Sequence, residues 1–585
     1  MNKRLNKETI LFDGAMGTYI SQKYNINITQ SEYENIRHPE HVLKIHKEYI
    51  EAGADAIKTN TFFANTVAYG IPFVEITKII DAGCQIAKQA AQGSDVLVFA
   101  DIGPIASDEK TVITEYQNII TRFLHNGINY FLLETFDDYE ILITLAQYIK
   151  KLASDAYVIA ECTVAPDKYS KSGVSANRII ENLYPVPEID AYGFNCTCGP
   201  LHLLNIISEI DFKDKPVSIM PNAGYPSIAS GRTVFETAPD YFAEQLLKIK
   251  NNGVKFIGGC CGTTPIYIKK VRQLLLSGKY EKVERKIPIP SKSQKAFDIV
   301  AAKKAENHKL IAVELDPPMN ADVDFFLESA NKLYKAGADL ITIADCPIAR
   351  ARVDSSLMAA KLKREFSIEA MPHLTCRDRN INATKALLLG LNTEGVHNVL
   401  VVTGDSVPSG QRTEVKSVFN FNSIKLAAFI SDLNSNIFSQ HPFNIMAALN
   451  INAANFPKEL ERAQKKEQAG VTSFLTQPIY DDKAAQNLLL AKKSLKAHLL
   501  SGIMPIVSYK NACFINNEIA GISIPEEILL RYKDTEPQEA AQLAVEISIE
   551  IIEKIQDITD GYYLIVPLQR VDIICQLIDR IKGRF

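Results

Sequence analysis

Amphipathic helical segments alternate with short apolar segments along the whole chain. At six places a periodic helical segment ends at a glycine, and the apolar segment that follows ends in a polar or reactive side chain. These glycines are Gly53, Gly127, Gly253, Gly337, Gly395 and Gly470. Glycine after a helix closes the last turn with a left-handed backbone, so we predict that each of them follows a helix. Segments that are apolar throughout indicate parallel strands that are covered on both faces.

The number of predicted strands decides the fold class. They centre on Leu11, Ile57, Val98, Leu132, Ile159, Gly193, Ile219 and Phe256 in the first half, and on Val313, Ile341, Met371, Val401, Ile445, Leu475, Ile503 and Leu564 in the second. Eight strand–helix units per half are typical of a (β/α)8 barrel, whose active site lies at the carboxyl ends of the strands. The sequence therefore predicts an α/β protein of two consecutive TIM-type barrels. Two open doubly wound sheets are the alternative, which the lack of a Gly-x-Gly-x-x-Gly turn after a strand disfavours.

A charged, proline-bearing and aperiodic segment separates the two predicted barrels. Such composition suits a linker between domains. We therefore predict a first domain at residues 1–276, a short charged linker at 277–295 and a second domain at 296–585.

Composition narrows the class of protein. The chain has 585 residues, of which 46% are hydrophobic, and its net charge of −4 argues against a nucleic acid partner. The first residues lack the apolar core of a signal peptide, and no apolar stretch is long enough for a membrane helix. The ten cysteines are therefore expected to be thiols or metal ligands. We expect a cytoplasmic homo-oligomer that acts on small molecules.

Two adjacent cysteines, Cys260 and Cys261, follow the last predicted strand of the first half. Neighbouring side chains on a strand point to opposite faces. Gly258, Gly259 and Gly262 would relax this constraint, because glycine adopts backbone angles that other residues avoid. Both sulfurs can then converge, and converging thiolates favour a soft metal, with zinc as the default.

A third ligand is expected from Cys196, which ends another predicted strand, with Cys198 as the alternative. Three protein ligands and an open fourth position are typical of a catalytic zinc. A purely structural zinc is the alternative. An open thiolate site can bind an incoming thiol and hold it as a thiolate. Asp13 and Glu134, at other strand ends, could bind the ammonium group of a small thiol.

The first half resembles the homocysteine S-methyltransferases. The matching segments are residues 13–18, 59–62, 195–196, 221–224 and 258–265. The resemblance implies that Cys196, Cys260 and Cys261 hold Zn²⁺. It also implies that Asp13 and Glu134 contact the amino group of homocysteine. The implied reaction is attack of the homocysteine thiolate on an activated methyl group, which gives methionine.

The second half carries a different set of polar residues at its predicted strand ends. They are Glu314, His373, Asp405 and Gln477. Acid, imidazole and amide groups around a barrel mouth suit the edge of a flat heteroaromatic ring, and a single carboxylate there can act as a general acid. Glu314 as a buried structural charge and His373 as a core histidine are the alternatives.

The second half resembles the methylenetetrahydrofolate reductases. The matching segments are Glu314 with 317–318, then 372–376, 404–405 followed by Pro408, 469–470, and 476–477 with 480–481. The resemblance implies FAD, reduced by NAD(P)H, and hydride transfer to methylenetetrahydrofolate. It assigns Glu314 as the catalytic acid, and Asp405 and Gln477 as folate contacts.

The same resemblance implies a set of FAD contacts. They are His373, Thr403, Gly404, Asp405 and Lys466. Family members commonly have arginine where this chain has Thr403, and two aromatic residues where it has Leu315 and Asp316. We expect these departures to affect how the flavin is oriented and what reduction potential it has.

Together the two resemblances imply a bifunctional enzyme, a homocysteine S-methyltransferase and methylenetetrahydrofolate reductase of one-carbon and methionine metabolism. Methyltetrahydrofolate has a poor leaving group, and the larger methionine synthases add a folate barrel and a corrinoid domain, for which we expect no room in 585 residues. A sulfonium donor, such as S-adenosylmethionine or S-methylmethionine, or a separate corrinoid protein is therefore expected. In the alternative, the second barrel is a non-catalytic folate- or flavin-binding module that regulates the first.

Overall fold

The computed structural model describes residues 3–107, 111–224, 227–229, 232–234, 238–278, 294–405, 417–518 and 522–584. The chain divides into two compact units, residues 1–289 and 290–585. Most of the predicted linker and Pro408 lie outside the described residues. The exact domain boundaries at 276 and 296 therefore stay predictions.

The first unit is built on a barrel of parallel strands. Its strands are β1 (Ile10–Leu11), β2 (Ala56–Lys58), β3 (Leu97–Ile102), β4 (Tyr130–Phe136), β5 (Tyr157–Cys162), β6 (Ala191–Asn195), β7 (Val217–Met220), β8 (Ser227–Ala229), β9 (Arg232–Val234) and β10 (Phe256–Ile257). Eight of the described strands pair in the order β1-β10-β7-β6-β5-β4-β3-β2, while β8 and β9 form a separate hairpin. A parallel bridge between Phe12 and Ala56 joins the two ends of this sheet.

Helices follow the strands of the first unit in sequence. They are α1 (Gly17–Tyr24), α2 (Glu34–Arg37), α3 (Pro39–Glu51), α4 (Thr66–Tyr69), α5 (Phe73–Ala91), α6 (Val112–His125), α7 (Tyr139–Leu152), α8 (Ala176–Leu183), α9 (Pro200–Ser208), α10 (Pro239–Asn251) and α11 (Pro265–Ser277). Their buried faces and the outer faces of the strands form the larger apolar core of this unit.

The second unit is a closed barrel of parallel strands in sequence order. Its strands are β11 (Leu310–Leu315), β12 (Leu340–Ile343), β13 (Ala370–Thr375), β14 (Asn398–Val402), β15 (Asn444–Leu449), β16 (Ser473–Pro478), β17 (His498–Ile503) and β18 (Gly561–Ile565). Its helices are α12 (Ile299–Ala305), α13 (Asp324–Ala336), α14 (Ser355–Phe366), α15 (Ile381–Thr393), α16 (Ser423–Ser435), α17 (Phe456–Gln468), α18 (Asp482–Ser494), α19 (Tyr509–Glu518), α20 (Glu526–Arg531), α21 (Pro537–Ile555) and α22 (Val571–Arg584). The two-barrel prediction is confirmed, and the alternative of open sheets is wrong because both sheets close.

The glycines that were predicted to follow helices have the expected backbone. The φ angles of Gly53, Gly127, Gly253, Gly337, Gly395 and Gly470 are 100°, 65°, 84°, 115°, 73° and 106°. Gly53, for example, comes two residues after the end of α3. A left-handed residue at this position turns the chain out of the helix and towards the next strand.

Alternation along the strands places the polar residues of each barrel above an apolar layer. In the first barrel, Phe99, Leu132 and Ile159 belong to an inner apolar cluster. The residues two positions further along the same strands are Asp101, Glu134 and Glu161. Because side chains two apart share a face of a strand, these carboxylates point into the barrel near the carboxyl ends of the strands.

In the described part of the chain, none of the helices combines the length and the apolar character that crossing a membrane requires.

Candidate active sites

Three cysteine side chains converge at the mouth of the first barrel. The sulfurs of Cys196, Cys260 and Cys261 all lie within 4.8 Å of one another. The Sγ atoms of Cys196 and Cys261 are 3.7 Å apart, close to the edge of about 3.8 Å in a tetrahedral zinc–thiolate site. The structure thus brings together the three predicted ligands, and they fit a soft divalent cation.

Backbone geometry explains how sulfurs from β6 and from the turn after β10 meet. Cys196 and Thr197 have φ angles of 56° and 54°, so the chain turns sharply where β6 ends. The predicted backbone freedom is found at Gly262, with φ of 80°. It is wrong for Gly258 and Gly259, which have ordinary φ angles. There the requirement is space, because a Cβ on Gly259 would lie 2.3 Å from the Thr263 hydroxyl oxygen.

The three sulfurs share a negative charge. Hydrogen bonds from Cys260 and Cys261 lower the pKa of Cys196 to about 3. The Cys196 thiolate in turn raises the pKa of Cys261 to about 12. Each sulfur therefore favours a negative charge on its neighbour, and a divalent cation would supply the charge that lets all three be deprotonated.

Cys198, the alternative ligand, points elsewhere. It is buried, and its thiol donates to the carbonyl oxygen of Val164 at 3.1 Å. Burial raises the pKa of Cys198 to about 12, which disfavours the thiolate that a metal ligand requires.

The two predicted ammonium-binding carboxylates lie close to a buried lysine. Lys58, at the end of β2, donates from its ammonium to Glu134 Oε1 at 3.2 Å and from its backbone N–H to Asp13 Oδ2 at 3.0 Å. Burial raises the pKa of Asp13 to about 7 against the opposing effect of Lys58. Glu134 Oε2 also accepts a hydrogen bond of 2.6 Å from the Asn195 amide, which lies 3.9 Å from Cys260 Sγ.

A cavity of about 550 Å³ opens above this cluster. Its lining includes the three cysteines, the carboxylates of Glu32, Asp101, Glu134 and Asp137, and the rings of Phe62 and Phe63. The cavity thus combines sulfur ligands, negative charge and aromatic faces, which suits a small thiol beside a cationic group.

In the second barrel Glu314 is the centre of a hydrogen-bonded group. Its Oε2 accepts a short hydrogen bond from the Tyr563 hydroxyl of β18. Burial raises the pKa of Glu314 to about 7, and the hydrogen bond from Tyr563 opposes this rise. Glu314 therefore keeps a proton for a substantial fraction of the time at neutral pH, as a general acid requires.

His373 lies beside Glu314 on the inner face of β13. Its Nε2 is 3.7 Å from Glu314 Oε2 and 3.3 Å from the Thr342 hydroxyl oxygen. Burial lowers the pKa of His373 to about 4, so the imidazole is neutral at physiological pH. It can thus contact a neutral ring without adding a charge to the site.

The predicted flavin and folate contacts occupy several strand ends. Gly404 follows β14 with φ of 91°, and the Thr403 hydroxyl lies 3.4 Å from Ser423 Oγ. Asp405 Oδ2 accepts a hydrogen bond of 2.7 Å from the Ile348 N–H. Gln477 lies near the end of β16, half-buried.

Lys466 is placed differently from a surface phosphate ligand. It lies on α17 with 6% of its surface exposed, and its ammonium donates to the Ala448 carbonyl oxygen at 2.8 Å. Burial lowers the pKa of Lys466. An ammonium has three N–H donors, so this hydrogen bond leaves donors for a phosphate, and it is the burial of Lys466 that limits the contact.

Sequence reasoning gave no role to two residues of these sites. Lys58 was visible as a charged residue at the end of an otherwise apolar strand, in the segment before Thr59 and Asn60. Tyr563 carried no comparable signal, because aromatic residues are common on strands. Its position beside Glu314 depends on closure of the barrel, which pairs β18 with β11.

The fold and these strand-end sites define an enzyme of two TIM-type barrels. Family models match both halves, as homocysteine S-methyltransferase over residues 10–275 and as methylenetetrahydrofolate reductase over residues 299–581. The chain therefore contains a homocysteine S-methyltransferase domain and a methylenetetrahydrofolate reductase domain.

Curated relatives match about half of the chain. The methionine synthase of Mycobacterium tuberculosis is 29% identical over 294 residues, which are 46% of this chain and 24% of that protein. The methionine synthase of Mycobacterium leprae is 27% identical over 296 residues, with the same coverages of 46% and 24%. The chain thus spans about a quarter of the length of these relatives.

Solved structures also match about half of the chain. The homocysteine methyltransferase MmuM from Escherichia coli, in its metallated form, is 19% identical with a TM-score of 0.40, covering 46% of this chain and 99% of that one. Its apo form is 20% identical with a TM-score of 0.38, covering 46% and 98%.

Proposed function

We propose that the first barrel transfers a methyl group to homocysteine and that the second reduces methylenetetrahydrofolate to methyltetrahydrofolate with NAD(P)H. The observation that carries the first half of the proposal is the convergence of three cysteine sulfurs within 4.8 Å. The one that carries the second half is the half-buried acid Glu314, hydrogen-bonded to Tyr563. The free cysteines fit a reducing compartment, and the cytoplasm is the proposed location.

In the first barrel Cys196, Cys260 and Cys261 would hold Zn²⁺. When bound, zinc would lower the pKa of the substrate thiol so that it reacts as a thiolate. Asp13 and Glu134 would bind the substrate's ammonium group, and Asn195 would hold Glu134 in place through their hydrogen bond of 2.6 Å.

The proposed methyl donor is a sulfonium compound. Four acidic residues, two lysines and two phenylalanine rings line the cavity above the cysteines, and the acidic residues and the rings attract a cation. Burial raises the pKa of one of the four, Asp101, well above its ordinary value. A sulfonium leaves as a neutral thioether, so its departure requires no proton from the protein.

The donor is tested by methionine formation with the purified, zinc-loaded protein. S-methylmethionine, S-adenosylmethionine and methyltetrahydrofolate are offered separately with homocysteine. Turnover with a sulfonium is expected, and the Glu314→Gln protein, altered only in the second barrel, should retain it. Turnover with methyltetrahydrofolate alone would contradict the sulfonium proposal. Absence of turnover with all three would contradict a self-sufficient first barrel and point to a separate corrinoid carrier.

In the second barrel FAD is the proposed cofactor, and it would supply the hydride chemistry when bound. His373 is on β13, Thr403, Gly404 and Asp405 follow the neighbouring strand β14, and these residues would contact it. Glu314 would donate its proton to the folate as the methylene bridge opens. Asp405 and Gln477 would hold the folate.

Glu314→Gln tests the reductase proposal. Reduction of bound FAD by NADH or NADPH should persist, since it needs no acid from this position. Folate reduction should fall on the order of 100-fold because the proton donor is lost. A Cys261→Ala protein, altered only in the first barrel, is the matched control. A colourless protein that cannot be reconstituted with FAD would instead support a non-catalytic regulatory module.

A further inference from the structure

The first barrel contains a buried ion pair that opens onto the proposed substrate cavity. Lys58 Nζ lies 3.2 Å from Glu134 Oε1, and the two side chains are 7% and 3% exposed. Both residues line the cavity that also contains the cysteine sulfurs. A buried ion pair adds little net stability, because desolvation offsets the Coulomb attraction. Its presence at a cavity wall therefore favours a role in recognition.

Lys58 is the buried cation of this site. The other lysine among the described lining residues is Lys171, and it is exposed. Although burial opposes it, the carboxylates of Glu134 and Asp13 raise the pKa of Lys58 well above its ordinary value. The Lys58 ammonium therefore keeps its charge inside the barrel.

This arrangement constrains how an amino acid substrate can bind. An ammonium group placed on Glu134 would share that carboxylate with Lys58, and two cations side by side repel each other. The repulsion is cancelled if a negative group lies against Lys58. Asp13 Oδ1, which is buried and has no hydrogen-bond partner among the described residues, is a further acceptor for the ammonium.

We infer that Lys58 binds the α-carboxylate of the thiol substrate, so that the Lys58–Glu134 pair recognises an amino acid zwitterion. The inference rests on the proposed methyl transfer to homocysteine. The charges then alternate around a ring: the Lys58 ammonium, the substrate carboxylate, the substrate ammonium and the Glu134 carboxylate. Such a site selects an α-amino acid thiol over a simple aminothiol. The aminothiol has no carboxylate, so it brings a second cation to Glu134 without placing a negative group against Lys58.

The first measurement uses the wild-type, zinc-loaded protein. Calorimetric titration compares homocysteine with 3-aminopropane-1-thiol, which is homocysteine without its carboxylate. The aminothiol should bind on the order of 100-fold more weakly. Equal affinities would overturn the assignment of Lys58 and leave the barrel a thiol site. Failure of both thiols to bind would overturn the proposed function, and the assignment of Lys58 with it.

Two variants separate recognition from structural support. Lys58→Met should weaken homocysteine binding on the order of 100-fold and change aminothiol binding by less than about threefold, so that selectivity is lost. Lys58→Arg keeps the cation and should keep most of the selectivity, which makes the test independent of whether the Met variant folds. Lys47→Met, which alters an exposed lysine of α3 that does not line the cavity, is the matched control and should behave as wild type.

Equal loss of affinity for both thiols in Lys58→Arg would contradict the proposal. If its zinc content stays at the wild-type level at the same time, Lys58 stabilises the barrel and does not bind the carboxylate. Zinc content, measured by elemental analysis, therefore accompanies every titration.

Discussion

Burial and a single hydroxyl group set the acidity of Glu314. Its pKa of about 7 results from the loss of solvent, which raises it, and from the hydrogen bond of Tyr563, which lowers it. The neighbouring Tyr562 is also fully buried, but its hydroxyl has no hydrogen-bond partner among the described residues. Removing the hydroxyl of Tyr563 or of Tyr562 therefore compares the loss of a hydrogen bond to Glu314 with the loss of a hydroxyl that makes none.

Tyr563→Phe should move the alkaline limb of folate reduction to higher pH, by about one unit. The reason is that the variant loses the hydrogen bond that stabilises the Glu314 carboxylate, so the acid keeps its proton longer as the pH rises. The measurement is the pH profile of kcat/KM, with Tyr562→Phe as the control that keeps the wild-type profile. An unchanged limb in Tyr563→Phe would show that this limb does not report Glu314.

The cysteines of the first barrel allow a second residue-level test. Cys261→Ala should weaken zinc binding at least about 100-fold, since it removes a ligand. Cys198→Ala should retain full zinc content, because the Cys198 thiol donates to Val164 and points away from the cluster. Zinc per chain and circular dichroism are measured together. Zinc loss in both variants alike would contradict the three-ligand assignment, and unfolding of Cys261→Ala would favour a structural zinc.

At the level of elements, charged residues join parts of the second barrel that are far apart in sequence. His498, the first residue of β17, lies 3.2 Å from Asp298 and 3.8 Å from Asp560. Asp298 caps the N-terminus of α12, and Asp560 precedes β18 and accepts a hydrogen bond from the Leu499 N–H. These contacts link α12, β17 and β18 to one another.

This group makes the stability of the second barrel depend on pH. Hydrogen bonds to Asp298 and Asp560 raise the pKa of His498 to about 9 from an ordinary value of 6.5. The stabilisation is therefore complete below about pH 6.5 and is lost as the pH rises through 9. The lowered pKa values of both aspartates act only in acid, outside this window.

The free energy of unfolding should thus fall by on the order of 1–2 kcal/mol between pH 6.5 and 9, allowing for partial exposure. Urea titrations at several pH values measure it. His498→Gln should lack this dependence, whereas the exposed His441→Gln should keep it. A wild-type stability that is flat across this range would contradict the assigned charge on His498.

At the level of the whole molecule, the two sites belong to separate compact units. The cysteine cluster lies in the first unit and Glu314 in the second. Removal of zinc with a chelator should therefore abolish methyl transfer and leave folate reduction within about twofold of its starting rate. Both activities are assayed on one preparation, and added zinc should restore the first. Parallel loss of both activities would contradict the independence of the sites.

The order of residues alone was enough to locate the elements and the residues with the most specific chemistry. Apolar segments and glycines fixed the strand centres and helix ends, because helix closure at a glycine such as Gly53 depends on local backbone geometry alone. The convergence of the cysteine side chains was likewise predictable, since Cys260 and Cys261 are adjacent in the chain and glycines flank them.

Which polar residues meet, and what charge they carry, depends on the folded barrels. Lys58 and Glu134 are separated by 76 residues, and Tyr563 and Glu314 by 249, so no local pattern records their contacts. Lys58 and Glu134 meet because β2 and β4 both pair with β3, and Tyr563 meets Glu314 because closure of the second barrel pairs β18 with β11. Burial then shifts the pKa of Glu314 and Asp13 to about 7. A pKa depends on solvent and charges contributed by distant strands, which the order of residues does not reveal.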